Sequence, residues 1–375
     1  MNKHSVFLAL DIGAASGAKL ALFDEMGTVL APPVQCAGSY DPDFGRFVSE
    51  LLETAEENLA LHSRSFQDVL GVGIASAGIL AEDGGFQLFH NRPQYNGKNL
   101  RAALEKALDV PVAIANDADA GGLAEWSVLR LELLYWVFGG GWGGAWISKD
   151  GEILHSSTGW DGKDSSLHFS NEPGYAIGLD LWRLRSLFSE VGASFELFER
   201  QLMDDPLLPA DSLAGPDGNP DTMRAEVILS GPGRCRLFRA VVGNDDFYRN
   251  FLDMHEQKEL TNPSIAGEHI SKLSRMRVEA AVNTDRLYGK ILAEGTRILL
   301  KEAQTQGLPP GTPICLGGKP SYALPYFGPS TQRLLGKMGF LNYLRPSVID
   351  ERGSNANLVG AAELARRAAS RLGVS

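Results

Sequence analysis

Residues Phe7 to Leu30 read FLALDIGAASGAKLALFDEMGTVL, and residues Tyr135 to Leu154 read YWVFGGGWGGAWISKDGEIL. In the first stretch an apolar strand ends in Asp11 and runs into a small-residue turn, Gly13-Ala14-Ala15-Ser16-Gly17. A second apolar strand (Leu20 to Phe23) follows, then the turn Asp24-Glu25-Met26-Gly27 and a third strand (Thr28 to Leu30). The second stretch repeats the order: strand Tyr135 to Phe138, glycine turn Gly139 to Gly144, strand Ala145 to Ile147, turn Ser148 to Gly151, strand Glu152 to Leu154. Two β-meanders, each opening one half of the chain, predict a duplicated domain. Glycine turns let a ligand approach the backbone closely and offer successive N–H groups to an anion. Two of them suit the phosphates of one ligand. Asp11, at a strand end, suits a magnesium ion met through water. Each turn taken singly also fits an ordinary hairpin connection. The second turn lacks the Gly-Lys-Ser/Thr ending of a Walker loop.

With 375 residues the chain has material for about two domains. A formal net charge of -11 argues against broad electrostatic binding of nucleic acid. Cys36, Cys235 and Cys315 stand far apart, which fits a reducing cytosol and argues against a disulfide framework or a cysteine-rich zinc site. No apolar run approaches a membrane span, and Met1-Asn2-Lys3-His4 leads into a strand without signal-peptide architecture. A cytoplasmic protein with no membrane partner is expected.

Periodicity predicts helices over Phe44 to Leu61, Leu100 to Leu108, Ala118 to Leu131 and Leu179 to Val191. Further helices are expected over Ile270 to Gln306, with a break, and Asn357 to Leu372. Buried strands are expected at Val69 to Ile74, Val110 to Ala115 and Pro313 to Leu316, the last running into Gly317-Gly318. Strands alternating with helices after a meander indicate an α/β sheet under helical cover. Leu202 to Asp221, rich in Pro, Asp and Gly, reads as a surface loop or insertion.

In this order the motifs resemble the ROK family of sugar kinases, within the actin-like and hexokinase-like ATPases. Asp11-Ile12-Gly13 resembles that class's first phosphate loop, and Phe138 to Ala145 its second. Ile114-Ala115-Asn116-Asp117-Ala118-Asp119-Ala120, continuing to Ala124-Glu125, resembles the catalytic stretch. Gly71 to Gly78, Leu316-Gly317-Gly318 and Leu358-Val359-Gly360-Ala361-Ala362 resemble the segment after the first long helix, the nucleotide-side glycine turn and the closing helix.

The resemblance implies two ribonuclease-H-like (actin-like ATPase) domains with an interdomain cleft. The first would comprise 1–117 plus about 356–375, the second 118–355 with an insertion near 200–232. It implies ATP and Mg2+, with Asp11 meeting the metal through water. Gly13, Ser16, Gly139, Gly140, Gly141, Gly143, Gly317 and Gly318 would hold phosphate or nucleotide. Asp117 would accept the proton of a sugar hydroxyl and Asn116 would orient the sugar; either one also suits the N-cap of the following helix. Asn91, Asp161 and His168 are further candidate sugar contacts, Asn91 equally a turn residue before Pro93. Lys19 reads as a solvated lysine. A homodimer or a homotetramer is the assembly the family implies.

Departures bear on activity. Ala14-Ala15-Ser16-Gly17 stands where the family has Gly-Gly-Thr, a variant closer to some FGGY kinases, with Ser16 in place of the threonine hydroxyl. Gly140 stands where the second loop has Thr. The Gly-Glu-x-Gly-His segment and the cysteine-rich zinc motif are absent, the region reading Gly159 to His168, so no structural zinc is expected. Two functions follow as expectations: an ATP-dependent kinase of a sugar or sugar derivative, or a catalytically weak sugar- or nucleotide-binding sensor on the same fold. The repressor form, with an added DNA-binding domain, is not expected because the first strand begins near Ser5 and the charge is acidic.

Overall fold

The structure is a computed structural model, and it describes residues 5–13, 17–36, 41–89, 92–154, 172–205, 208, 213–216, 218–243 and 264–373. The chain divides into two compact units: 1–131 with 147–153 and 348–375, and 132–146 with 154–347. The helix expected from 118 therefore groups with the first unit, as does the turn at 148–151.

In the first unit, β1 (Val6–Ile12), β2 (Ala18–Phe23) and β3 (Val34–Gln35) form the meander. Helix α1 (Phe44–Leu61), β4 (Val69–Ser76), the small hairpin β5 (Ile79–Leu80) and β6 (Phe86–Leu88), α2 (Leu100–Leu108), β7 (Val112–Asn116) and α3 (Asp117–Leu129) follow. The sheet order is β3-β2-β1-β4-β7, with β1, β4 and β7 parallel. Every residue of β1 is buried, as a central strand covered on both faces requires. Asn99 and Asn116 cap α2 and α3 by accepting the N–H of Ala102 and of Ala118. Both helices end in a left-handed residue, Asp109 and Arg130.

In the second unit, β8 (Leu133–Phe138), β9 (Trp142–Ile147) and β10 (Ile153–Leu154) repeat the meander. Helix α4 (Pro173–Ala176), β11 (Gly178–Asp180), α5 (Leu181–Ser189), α6 (Phe195–Met203), β12 (Thr222–Arg224) and α7 (Gly231–Val242) come next. They are followed by α8 (Ser264–Arg275), α9 (Glu279–Thr305), β13 (Pro313–Gly317), α10 (Leu324–Lys337) and β14 (Tyr343–Pro346). The sheet order β10-β9-β8-β13-β14 mirrors the first, again with a parallel half, β8-β13-β14. The chain then returns to the first unit as α11 (Val348–Glu351) and α12 (Ala356–Arg371).

Helix α12 lies directly on β4 and α3. A Cβ at Gly73 would stand 1.7 Å from the Ala361 carbonyl oxygen, and one at Gly360 would stand 1.8 Å from that of Ala120. The small residues legible in the sequence are what admit this approach. Each unit has its own core, one around Leu8, Leu10, Phe47, Val72 and Ile74, the other around Trp136, Phe138, Trp142, Ile291 and Leu316.

Two expectations are corrected. The third strand of the first meander is not at Thr28 to Leu30. There a single bridge joins Phe23 and Val29, and the ladder resumes only at β3. Asp24 Oδ1 accepts the N–H groups of Met26 and Thr28, and Pro32 and Pro33, which lack N–H groups, precede β3. The glycine turn is shorter than expected: Gly143 and Gly144 belong to β9, whose flanking Trp142 and Trp146 are buried. Just past the proline-rich stretch, β12 pairs against β11. Helices α6, α7 and α10 were not anticipated; α10 carries Pro329 inside it. No disulfide joins Cys36, Cys235 and Cys315, all of them buried. Among the described residues no helix is long and apolar enough to cross a membrane.

Candidate functional site

In a parallel sheet, ligands gather at the carboxyl ends of the strands. Register places Ile12, Ser76 and Asn116 side by side at that edge of the first unit. Asp11 precedes Ile12 and Asp117 follows Asn116, so the two carboxylates occupy the same edge. They sit at the ends of β1 and β7, which β4 separates, or about 10 Å apart at ordinary strand spacing.

Asp11 is 4% exposed. Its Oδ1 accepts the Asn357 Nδ2–H at 3.0 Å and its Oδ2 accepts the Asn355 Nδ2–H at 3.2 Å. Lys19, directly opposite on β2, brings Nζ to 3.9 Å from Asp11 Oδ2 with its side chain 34% exposed. Lys19 is thus an ion-pair partner of Asp11 and not the solvated lysine expected.

The cap that the sequence left open between Asn116 and Asp117 falls to Asn116. Asn116 is buried and is the cap: Oδ1 accepts Ala118 N–H at 2.8 Å, and Nδ2 donates to the Gly78 carbonyl at 2.9 Å. The tight path of Gly78 (φ +96°) brings that carbonyl within reach, and a Cβ there would meet Leu88 O at 2.7 Å. Asp117, the first residue of α3, is half-buried and also accepts Ala118 N–H, at 2.9 Å. Burial, then the negative charge of Asp11, push its carboxyl up to about 6; Asp119 adds a smaller push and the Ala118 N–H opposes them. A carboxylate that titrates just below neutral pH is ionised there yet basic enough to take a proton in a transition state.

A magnesium ion keeps several of its waters and needs few protein ligands. Among the described residues no group of three or more His, Cys, Asp or Glu is placed to hold a metal ion. A single buried carboxylate, with both oxygens already receiving amide N–H groups, fits a cation held through water.

The second unit has its own cluster at the matching strand ends. After β8, Gly139 N–H donates to Gly141 O at 3.0 Å, closing a tight turn. Gly139 and Gly140 are exposed, with nothing within 4 Å of where a Cβ would stand. Beside β8, β13 ends in Gly317 and Gly318. A Cβ at Gly317 would lie 2.1 Å from Tyr135 Oη, and one at Gly318 (φ +81°) would lie 2.0 Å from Phe138 O. The start of α7 closes the cluster: Gly231 N–H donates to Gly139 O at 2.9 Å, and Ser230 caps the helix through Gly233 N–H. Glu226 brings Oε2 to 3.0 Å from a Cβ at Gly141.

Gly139, Gly140, Gly141, Gly317 and Gly318 therefore come together, while Gly143 lies within β9. Gly13 accompanies Asp11, its N–H donating to Gly17 O at 3.3 Å. Ser16, Asn91, Asp161 and His168 lie outside the described residues. Asn355, Asn357, Glu226 and the Ser230-Gly231 helix start were not anticipated. The Ser230-Gly231-Pro232 order is a helix-start signal that was there to be read. The Asn355 and Asn357 contacts to Asp11 span more than 340 positions of sequence and leave no local trace.

The ROK family model matches residues 7–163. No curated protein matches the chain. Among solved structures, a ROK family glucokinase from Streptomyces griseus, in complex with glucose and AMPPNP, superposes with a TM-score of 0.62 at 20% identity, covering 97% of this chain and 100% of that one. The ROK hexokinase from Thermus thermophilus gives 0.60 at 20% identity, over 96% and 97% of the two chains. A ROK family transcriptional regulator, homolog of the E. coli MLC protein, gives 0.65 at 17% identity, over 100% of this chain and 81% of that one. The fold is accordingly the paired ribonuclease-H-like architecture of the actin-like ATPases.

Proposed function

Because residues 7–163 of this chain match the ROK family model, we propose that it is an ATP-dependent kinase acting on a hydroxyl of a sugar or sugar derivative. The observation that carries this reading is Asp117: a half-buried carboxylate at the end of β7, raised to about 6, on the same sheet edge as Asp11.

In this reading the acceptor hydroxyl attacks the γ-phosphate of ATP, and Asp117 takes its proton as the bond forms. Asn116, committed to capping α3 and to the Gly78 carbonyl, holds Asp117 at the head of the helix. Asp11, with Gly13 beside it, would hold a hydrated magnesium ion of the nucleotide through water. Magnesium supplies neutralisation of phosphate charge as the γ-phosphoryl group leaves. The turn after β8 offers backbone N–H groups and, at Gly139 and Gly140, open space to the nucleotide, with Gly317 and Gly318 packed close beside it. Positioning and charge do most of the work in such transfers, and a well-placed base adds roughly a hundredfold or more. The glucokinase and hexokinase neighbours support a carbohydrate acceptor.

A second reading, a sugar- or nucleotide-binding sensor without turnover, is favoured by Gly140 in place of a hydroxyl-bearing residue and by the regulator among the neighbours. A coupled ADP-release screen over hexoses, aminosugars and N-acylated sugars, with wild type and Asp117→Asn, separates the two. Turnover on a sugar that is lost in the variant supports the kinase. ATP or sugar binding with no turnover on any acceptor supports the sensor.

A further inference from the structure

We propose that Asn355 and Asn357, at the head of the C-terminal helix α12, are positioning residues for Asp11. They hold both oxygens of its carboxylate so that the cation of a bound nucleotide meets it through water and not directly. The identity of that cation rests on the nucleotide-binding reading above; the amide clamp itself does not.

Asp11 is the last residue but one of a strand whose other six residues are apolar and buried. An ionised carboxylate in such a place is costly unless hydrogen-bond donors surround it. The donors come from the far end of the chain, one amide to each oxygen: Asn357 Nδ2 at 3.0 Å and Asn355 Nδ2 at 3.2 Å. Asn355 does double duty. Its Oδ1 accepts the Leu358 N–H as the N-cap of α12 while its Nδ2 reaches Asp11. The start of α12 is thereby registered on the carboxylate, and the close packing of Gly360 and Ala361 on α3 and β4 keeps the helix there.

The amides are neutral and orient the carboxylate without cancelling its charge; Lys19 Nζ, 3.9 Å from Oδ2 and partly exposed, offsets part of that charge and leaves the rest to attract a cation. Yet each oxygen already accepts a hydrogen bond, which leaves fewer lone pairs for a direct metal bond. A magnesium ion is particular about its octahedral shell and slow to shed water. An amide-held carboxylate favours contact with that shell intact.

Asn357 is the cleaner probe, because Asn355 is also the cap. The first measurement is a double-mutant cycle on urea unfolding with Asp11→Asn, Asn357→Ala and the pair. A hydrogen bond to a charged group predicts coupling of about tenfold in the unfolding equilibrium constant, ~1.4 kcal/mol. Additive effects overturn the clamp. The second measurement is calorimetric binding of ADP with and without magnesium. Asn357→Ala is expected to weaken the magnesium-bound form by about tenfold and to leave metal-free ADP binding unchanged. Equal loss in both forms, or no loss in either, overturns the positioning role. Wild type that binds no nucleotide in either form sinks the nucleotide reading and the positioning role with it, whereas the unfolding cycle judges the clamp in every case.

Discussion

Burial, and after it the charge of Asp11 at the end of β1, hold the carboxyl of Asp117 at about 6. The two residues are brought to one edge of one sheet by β4, which pairs with both of their strands. That relationship has consequences for stability as well as for catalysis.

An acid with a higher pKa folded than unfolded binds more protons in the folded state between the two values. Its presence therefore favours folding less as pH rises from about 4 to about 6. Above that interval the ionised Asp117 is a net burden on the fold. Asp117→Asn is expected to stabilise the protein above pH 6, by about 1–3 kcal/mol, while having little effect near pH 4. Urea unfolding of both proteins at about pH 3.5 and about pH 7.5, on either side of the interval, checks this. A variant equally or less stable at the higher pH would contradict the raised pKa.

Catalysis depends on the other side of the same titration. With Asp117 as base, kcat/KM on the preferred sugar rises with pH and levels off above a midpoint near 6, since the ionised form is the active one. A pH–rate profile at saturating magnesium reads this directly. A flat profile between pH 5 and 8, on the order of the expected titration range, would point to a different proton acceptor.

How much of this was legible in the sequence depends on the range of the interaction. β1 could be read because five apolar residues, Val6 to Leu10, lead to a lone carboxylate, and the cap of α3 because Asn and Asp before a run of small residues are strong start signals. Gly143 and Gly144 misled, since glycines read as turn, whereas the burial of Trp142 and Trp146 makes them strand. The shifted β3 was hidden because Pro32 and Pro33 break a ladder whose apolar pattern carries on across them. The environment of Asp11 could not be read at all: Lys19 answers to cross-strand register, and Asn355 and Asn357 to the return of the chain after a whole second unit.

Glu125 shows the same return from another side. It is fully buried on α3, and its Oε2 and Oε1 accept the N–H groups of Val348 and Ile349 at 3.0 and 3.2 Å, where α11 begins. The resemblance placed Glu125 inside the catalytic stretch, but these contacts make it an anchor for the returning chain. Glu125→Ala leaves two N–H groups unmet in a buried place and is expected to cost about 2–4 kcal/mol in denaturant unfolding. Glu125→Gln, which keeps one acceptor, should lose about half as much. A loss of activity in Glu125→Gln with stability intact would reverse this assignment.

The turn after β8 offers the sharpest separation of fold from ligand. Gly140 is exposed, takes no left-handed conformation, and has open space where a Cβ would stand. Gly140→Ala should therefore fold as well as wild type, within about 0.5 kcal/mol. If the turn receives nucleotide phosphates, the added methyl occupies their approach, and ATP affinity should fall by about tenfold or more. Gly318→Ala is the contrasting case: its φ of +81° and the Phe138 carbonyl 2.0 Å from the new Cβ predict a loss of stability before any ligand is added. Paired thermal unfolding and ATP titration of the two variants decide the matter. Unchanged ATP affinity in a fully folded Gly140→Ala would remove this turn from the nucleotide site.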